Sequence, residues 1–250
     1  MDQAGAIVGP IVAFAILQFT DIKTVFLFSL IPGSIAVIIL IFFVKEVKLN
    51  IFSSIPNTIF GNISKLLKKN IPFVILLVVT GVFSLGAFNY SFILLKASNL
   101  GISQNIIPLV YATINIAHTI IGIPAGLLAD KIGKEKVLIF GYSIFVISSI
   151  LMILFSSSNN YTYACCLAFV FGLYVGISET VQRAVIPKYV SADLRGTAYG
   201  FYNLVTGACL FVSNLTFGYL WDVYSINMAV IYSLFFSICS IVGMIVFAKR

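Results

Sequence analysis

Charge is scarce in this 250-residue chain. Acidic and basic side chains make up 9% of it, where a soluble domain carries about a quarter. That scarcity excludes an ordinary water-soluble fold. Histidine occurs once, so no histidine cluster can hold a metal within the bilayer, and no Ser/His or Asp pair for intramembrane catalysis is visible. The four cysteines, Cys165, Cys166, Cys209 and Cys239, lie in apolar runs without C-x-x-C spacing. They read as small apolar fillers, not as ligands or disulfides. No G-x-x-x-x-G-K-[ST] loop occurs, so no nucleotide cradle is expected. The first residues lack a basic region and a small-residue cleavage site, so no secretory leader is expected. The reading is a non-enzyme with neither cofactor nor metal.

Long apolar runs are what the chain does have; 60% of it is hydrophobic. A membrane-spanning helix needs about 20 such residues. The runs are continuous and do not alternate as barrel strands do, so the fold class expected is an all-α membrane protein. Eight spans are predicted, over 4–19, 24–44, 71–95, 104–129, 136–156, 161–185, 197–220 and 226–248. Lysine and arginine fall almost wholly on one set of alternate loops. Lys45, Lys48, Lys65, Lys68, Lys69, Lys131, Lys134, Lys136, Arg183, Lys188, Arg195, Lys249 and Arg250 lie on that side. Only Lys23 and Lys96 lie on the other. This bias predicts a cytoplasmic C-terminus. It also makes the net charge of +7 a topology signal, not a nucleic-acid footprint. Residues 45–70 form the longest loop. Ile59, Phe60, Ile63, Leu66 and Leu67 recur there at helical spacing, predicting an amphipathic helix on the membrane surface.

The segment Gly126-Leu127-Leu128-Ala129-Asp130-Lys131-Ile132-Gly133-Lys134-Glu135-Lys136 joins two spans and concentrates charge. Its glycines permit a tight turn and close helix approach. It resembles the loop signature of the major facilitator superfamily of secondary transporters, departing at Glu135, where a second basic residue is usual. Gly5-x-x-x-Gly9-Pro10 resembles the helix-five motif of proton-coupled antiporters in that superfamily, although Ile11, Val12 and Ala13 replace its following glycines. Glu179-x-x-Gln182-Arg183, Pro187 and the run Asp193 to Gly200 resemble the loop between helices ten and eleven. Gly218-x-x-Trp221-Asp222 resembles the outer end of helix eleven. The resemblance implies helices five to twelve of a twelve-helix fold. Residues 1–44 would be the last two helices of an N-terminal bundle, 45–70 the cytoplasmic linker and 71–250 a complete C-terminal six-helix bundle. It further implies a multi-pass protein of the cell membrane and a missing N-terminal half. The partners implied are lipid, a small solute and a coupling proton.

Two residue groups are candidates for mechanism. A cytoplasmic latch is expected from Gly126, Asp130, Gly133, Lys134, Glu179, Arg183 and Arg195. Glu179 and Arg183 share a helix face at four-residue spacing, and the resemblance puts Asp130 near the start of the first span. A substrate or proton pathway is expected from Tyr111, Asn115 and His118, on one helix face above Gly122, with Asn89, Tyr90, Tyr199, Asn203, Thr206 and Asn214 as weaker candidates. On this reading no acidic or basic residue lies deep in a span and none faces His118. The bland alternative for both groups is a topology-setting charge cluster and a polar stripe joining helices. Gly81, Gly86, Gly172, Gly176, Gly200 and Gly207 are expected to be packing positions. The functional readings are a secondary transporter, either a uniporter or an exporter of an apolar or aromatic solute, or a non-transporting fragment that associates with or regulates a full-length transporter.

Overall fold

The computed structural model describes residues 2–43, 61, 63, 66–68, 70–154 and 161–249. Their regular structure is entirely helical. In chain order the helices are α1 (Asp2–Leu17), α2 (Ile22–Phe43), α3 (Ile71–Gly86), α4 (Tyr90–Asn99), α5 (Ile107–Ile132), α6 (Lys134–Leu154), α7 (Tyr161–Tyr189), α8 (Arg195–Val223) and α9 (Ile226–Ala248). A 3-10 turn, Ala192–Leu194, leads into α8. Seven stretches are long and apolar enough to cross a membrane, with Ile71–Asn99 counted as one. The chain is therefore an integral, multi-pass membrane protein. The predicted first span corresponds to α1, whose 16 residues make it a shorter apolar helix. Most of the predicted surface helix at 45–70 lies outside the described residues; at its end Leu66 is buried and Lys68 exposed.

Local chemistry sets the helix ends. Proline stands in the first turn of α3 and of α5, where its missing N–H leaves nothing unpaired. Gly133 closes α5 at φ +102°, a conformation that disfavours any residue with a Cβ. Ser225 caps α9 by accepting a 3.3 Å bond from the Met228 N–H. Before α2, the Thr24 hydroxyl donates to Asp21 Oδ1 at 2.6 Å and holds that carboxyl below its ordinary range.

The predicted span over 71–95 is not one continuous helix. It breaks at Ala87-Phe88-Asn89, inside the apolar stretch. Backbone groups freed at such depth need partners from the protein. Tyr232 donates to the Leu85 carbonyl at 2.7 Å, and Ser233 donates to that of Gly86. The Asn89 N–H donates to Asn214 Oδ1 at 2.9 Å, while Asn89 Oδ1 accepts from the Ser91 N–H at 3.0 Å and caps α4. Polar side chains of α8 and α9 thus replace the lost helical bonds. Gly86 lets α9 come close, since a Cβ there would lie 2.7 Å from Phe236 Cβ.

Helix α7 packs against α3, α4, α5, α6 and α8, while α9 packs against α3, α6 and α8. An aromatic core of Phe83, Phe88, Tyr142, Phe145, Phe171 and Phe217 fills the space between them. Phe83 and Tyr142 stack in parallel with ring centres 3.6 Å apart. The closest helix approach is α7 on α5. A Cβ at Gly172 would stand 2.3 Å from the Ile114 carbonyl oxygen, and one at Gly176 2.6 Å from that of His118. Lipid gives no hydrophobic drive for helix association, so such close backbone contact supplies the attraction. Gly81 is in ordinary contact, whereas Gly200 and Gly207 face open space and do not pack as expected. The cysteines are not buried fillers either: Cys166 and Cys239 are exposed, and Cys165 and Cys209 half-buried. Helix α1 packs on α5 and α2, and α2 has no buried residue.

Replacing Gly172 by Ala pushes a methyl group into a backbone carbonyl and should destabilise the helical domain by about 1–3 kcal/mol. Gly200→Ala, facing open space, should change stability by less than about 0.5 kcal/mol. Unfolding in mixed micelles by added dodecyl sulfate compares the two; equal effects would contradict the packing described.

Candidate functional site

His118 lies near the middle of α5, and Glu179 sits ten residues before the end of α7 at Tyr189. At about 1.5 Å per residue, that is roughly 15 Å along the helix. His118 Nε2 and Glu179 Oε2 are 3.7 Å apart, with side-chain exposures of 13% and 50%. The expectation that no acidic residue faces His118 is thus corrected. Gly176 is the reason. Its missing side chain lets α7 lie on the His118 backbone, and Glu179 follows one turn later on the same side. The pair joins two groups that the sequence kept apart, one residue from the latch and one from the pathway.

Glu179 also opens onto a polar groove between α3, α7 and α8. Two adjoining hollows, of about 320 and 350 Å³, share Glu179, Gln182 and Asn203 as lining. The inner one is walled by Phe83 and Tyr174 and lined by Ser84, Ser178 and Thr206. The outer one adds Arg183, Tyr199 and Tyr202. Arg183 Nη2 stands 4.0 Å from Glu179 Oε2 with its side chain 80% exposed. Gln182 donates to the Tyr142 hydroxyl at 3.3 Å, anchoring the groove floor to α6. Ser178 Oγ is buried with no hydrogen-bond partner among the described residues. Asn203, a weak candidate from sequence, belongs to both hollows. Tyr174, Ser178 and Gln182 were missed as cavity residues, although their spacing around Glu179 on α7 was available as a signal.

Beyond Glu179, at the C-terminal end of α7, a second cluster ties it to α6. Lys188 Nζ lies 2.7 Å from Glu135 Oε1, and the Tyr189 hydroxyl donates to the same oxygen. Glu135 is buried. Lys134 Nζ donates to the Ala184 carbonyl of α7 at 2.9 Å, five residues before that helix ends. The acidic residue that departs from the family signature is therefore matched by a basic one across the interface.

The remaining candidates are more dispersed. Asn115 is buried, and its amide donates to the Tyr111 carbonyl at 3.0 Å, within its own helix. The Tyr111 ring meets that of Tyr90, 4.9 Å between centres. Asn89 serves the break between α3 and α4. Gly126 faces Thr180 of α7. Asp130 and Arg195 are exposed and have no hydrogen bond or ion pair among the described residues. Gly5 and Gly9 face open space, with Pro10 inside α1. Among the described residues no group of three or more His, Cys, Asp or Glu side chains could hold a metal ion.

Helices with apolar runs long enough to span a bilayer, with a histidine–glutamate contact and a groove among them, define a polytopic helical membrane protein. This chain belongs to the Major Facilitator Superfamily, whose sequence model matches residues 1–214. It is 31% identical over 235 residues to an uncharacterized MFS-type transporter of Methanocaldococcus jannaschii, covering 89% of this chain and 56% of that protein. It is 25% identical over 229 residues to an uncharacterized protein of Mycobacterium tuberculosis, covering 89% and 54%. A second MFS-type transporter of Methanocaldococcus jannaschii, also uncharacterized, shares 26% identity over 160 residues. The chain spans about half the length of the first two relatives. No solved structure matches it.

Glu135→Lys should destabilise the α6–α7 contact by about 1–3 kcal/mol, a range reduced for the half-exposed Lys188. Adding Lys188→Glu should recover a large part of that loss in the same unfolding titration. No recovery in the double variant would show that the two residues are not energetically coupled.

Proposed function

We propose that this chain is the C-terminal portion of a proton-coupled secondary transporter that carries a small solute through the groove between α3, α7 and α8. The observation that carries the reading is the contact between His118 and Glu179 at the groove wall. Intramembrane ionisable groups are costly and mark ion or substrate paths. The imidazole Nε2, 3.7 Å from the carboxylate, can hand a proton to it or take one from it. The other groups near Glu179 are Arg183 and Tyr174 on α7, Tyr199 and Tyr202 on α8, and Tyr142 of α6 through Gln182.

Alternating access would rock residues 71–250 against a bundle that includes residues 1–44, about the linker 45–70. Asp130, Gly133, Lys134, Arg183 and Arg195 would latch the cytoplasmic face. Gly5, Gly9 and Pro10 favour export through their resemblance to the antiporter motif. The C-terminus would be cytoplasmic and the membrane the cell membrane. The relatives named as MFS-type transporters support transport in general. A second reading, a non-transporting fragment that associates with or regulates a full-length transporter, is favoured by one observation: α2 is apolar along its length and buries nothing among the described residues.

Proteoliposomes holding the chain, given an imposed pH gradient and a panel of labelled amines, sugars and carboxylates, test the proposal. At least one solute should accumulate. Glu179→Gln should lower that accumulation about tenfold or more, and His118→Phe should remove its dependence on pH. Movement that is unchanged in both variants would refute the coupling site. Transport by the chain only with a co-expressed four-helix N-terminal part would support the first reading, whereas no movement in either case, with altered transport by a co-reconstituted full-length relative, would support the second.

A further inference from the structure

We infer that the inner hollow between α3, α7 and α8 takes a monovalent organic cation with an aromatic or apolar body, bound through the Glu179 carboxylate. The inference rests on the groove being the solute site and goes on to the class of solute. Four observations carry it. Among the described residues that line the inner hollow, Glu179 is the only charged one. None of them is a lysine or arginine, so an anion would meet an uncompensated carboxylate. Arg183 reaches Glu179 only at 4.0 Å, is 80% exposed and belongs to the outer hollow, so it is a replaceable partner. Phe83 and Tyr174 also line the hollow and give an organic body aromatic surface to pack on.

At about 350 Å³, the hollow has room for one or two rings. The cation and a protonated His118 would compete for one carboxylate, so binding of the first favours loss of the proton from the second. No covalent step is involved.

The test is equilibrium binding to the full chain in lipid nanodiscs. The probes are 1-methyl-4-phenylpyridinium, the neutral isostere 4-methylbiphenyl and biphenyl-4-carboxylate, measured by displacement of radiolabelled methylphenylpyridinium and by direct titration. The expected order is cation well above neutral, and neutral above anion. Glu179→Gln should weaken cation binding about tenfold or more and leave the neutral probe unchanged, and Glu179→Asp should restore part of the loss. Equal binding of cation and neutral probe, preference for the anion, or no cation binding by the unmodified chain would each overturn the inference. The order of the three probes needs no variant, so a poorly folding Glu179→Gln does not weaken the test. An anion or neutral solute carried with full pH coupling would refute the cation while leaving the transport reading intact. Cation binding without any proton exchange would do the reverse.

Discussion

The backbone of α7 lies directly against that of α5 because residues 172 and 176 have no Cβ. In water, apolar side chains could hold two helices together across a wider gap. In lipid that drive is absent, and close backbone contact with its dispersion attraction takes over. The spacing of the rest of the bundle follows. His118 and Glu179 come within 3.7 Å only because α7 is this close. Gly141 repeats the device between α6 and α7, where a Cβ would stand 2.8 Å from the Ile177 side chain. One helix is thereby fixed on two sides and presents Ser178, Glu179 and Gln182 to the groove on a third.

Two polar constructions stabilise this arrangement where apolar packing cannot. At the α3–α4 break, Asn214, Tyr232 and Ser233 take the backbone groups that a continuous helix would satisfy itself. At the ends of α6 and α7, a buried glutamate, a lysine and a tyrosine join the two helices. Both use side chains distant in sequence to satisfy groups that lipid leaves unpaired. The groove is left with Glu179 and, in its outer hollow, Arg183, together with several hydroxyls and amides and aromatic side chains.

Much of the fold was legible in the sequence, because a membrane reduces folding to apolar length and loop charge. Helix positions follow from the runs and are off by only a few residues, as when α5 extends to Ile132 past the predicted 129. The loop at Gly133 was readable because a positive φ demands glycine. The break at residues 87–89 was not, since its cause is Asn214 and Ser233, more than a hundred residues away. The site was legible only in pieces. His118 stood out as the lone histidine, and Glu179 as an acid four residues from Arg183. Their contact depends on which face of α7 meets α5, and the Gly172 and Gly176 spacing that fixes that face was read only as packing. Gly200 and Gly207 show the converse: the same small-residue pattern with nothing against it.

The contact between His118 and Glu179 is the central claim, and the single histidine makes it directly measurable. The chain would be labelled with ¹⁵N in histidine and ¹³C in the glutamate carboxyl groups, placed in bilayers and examined by rotational-echo dipolar NMR. The account predicts dephasing of the imidazole Nε2 signal matching an oxygen contact at 3.7 Å, lost in Glu179→Gln and weakened when Gly176→Val forces the helices apart. An undephased imidazole in the unmodified protein, or dephasing that survives Glu179→Gln, would contradict it.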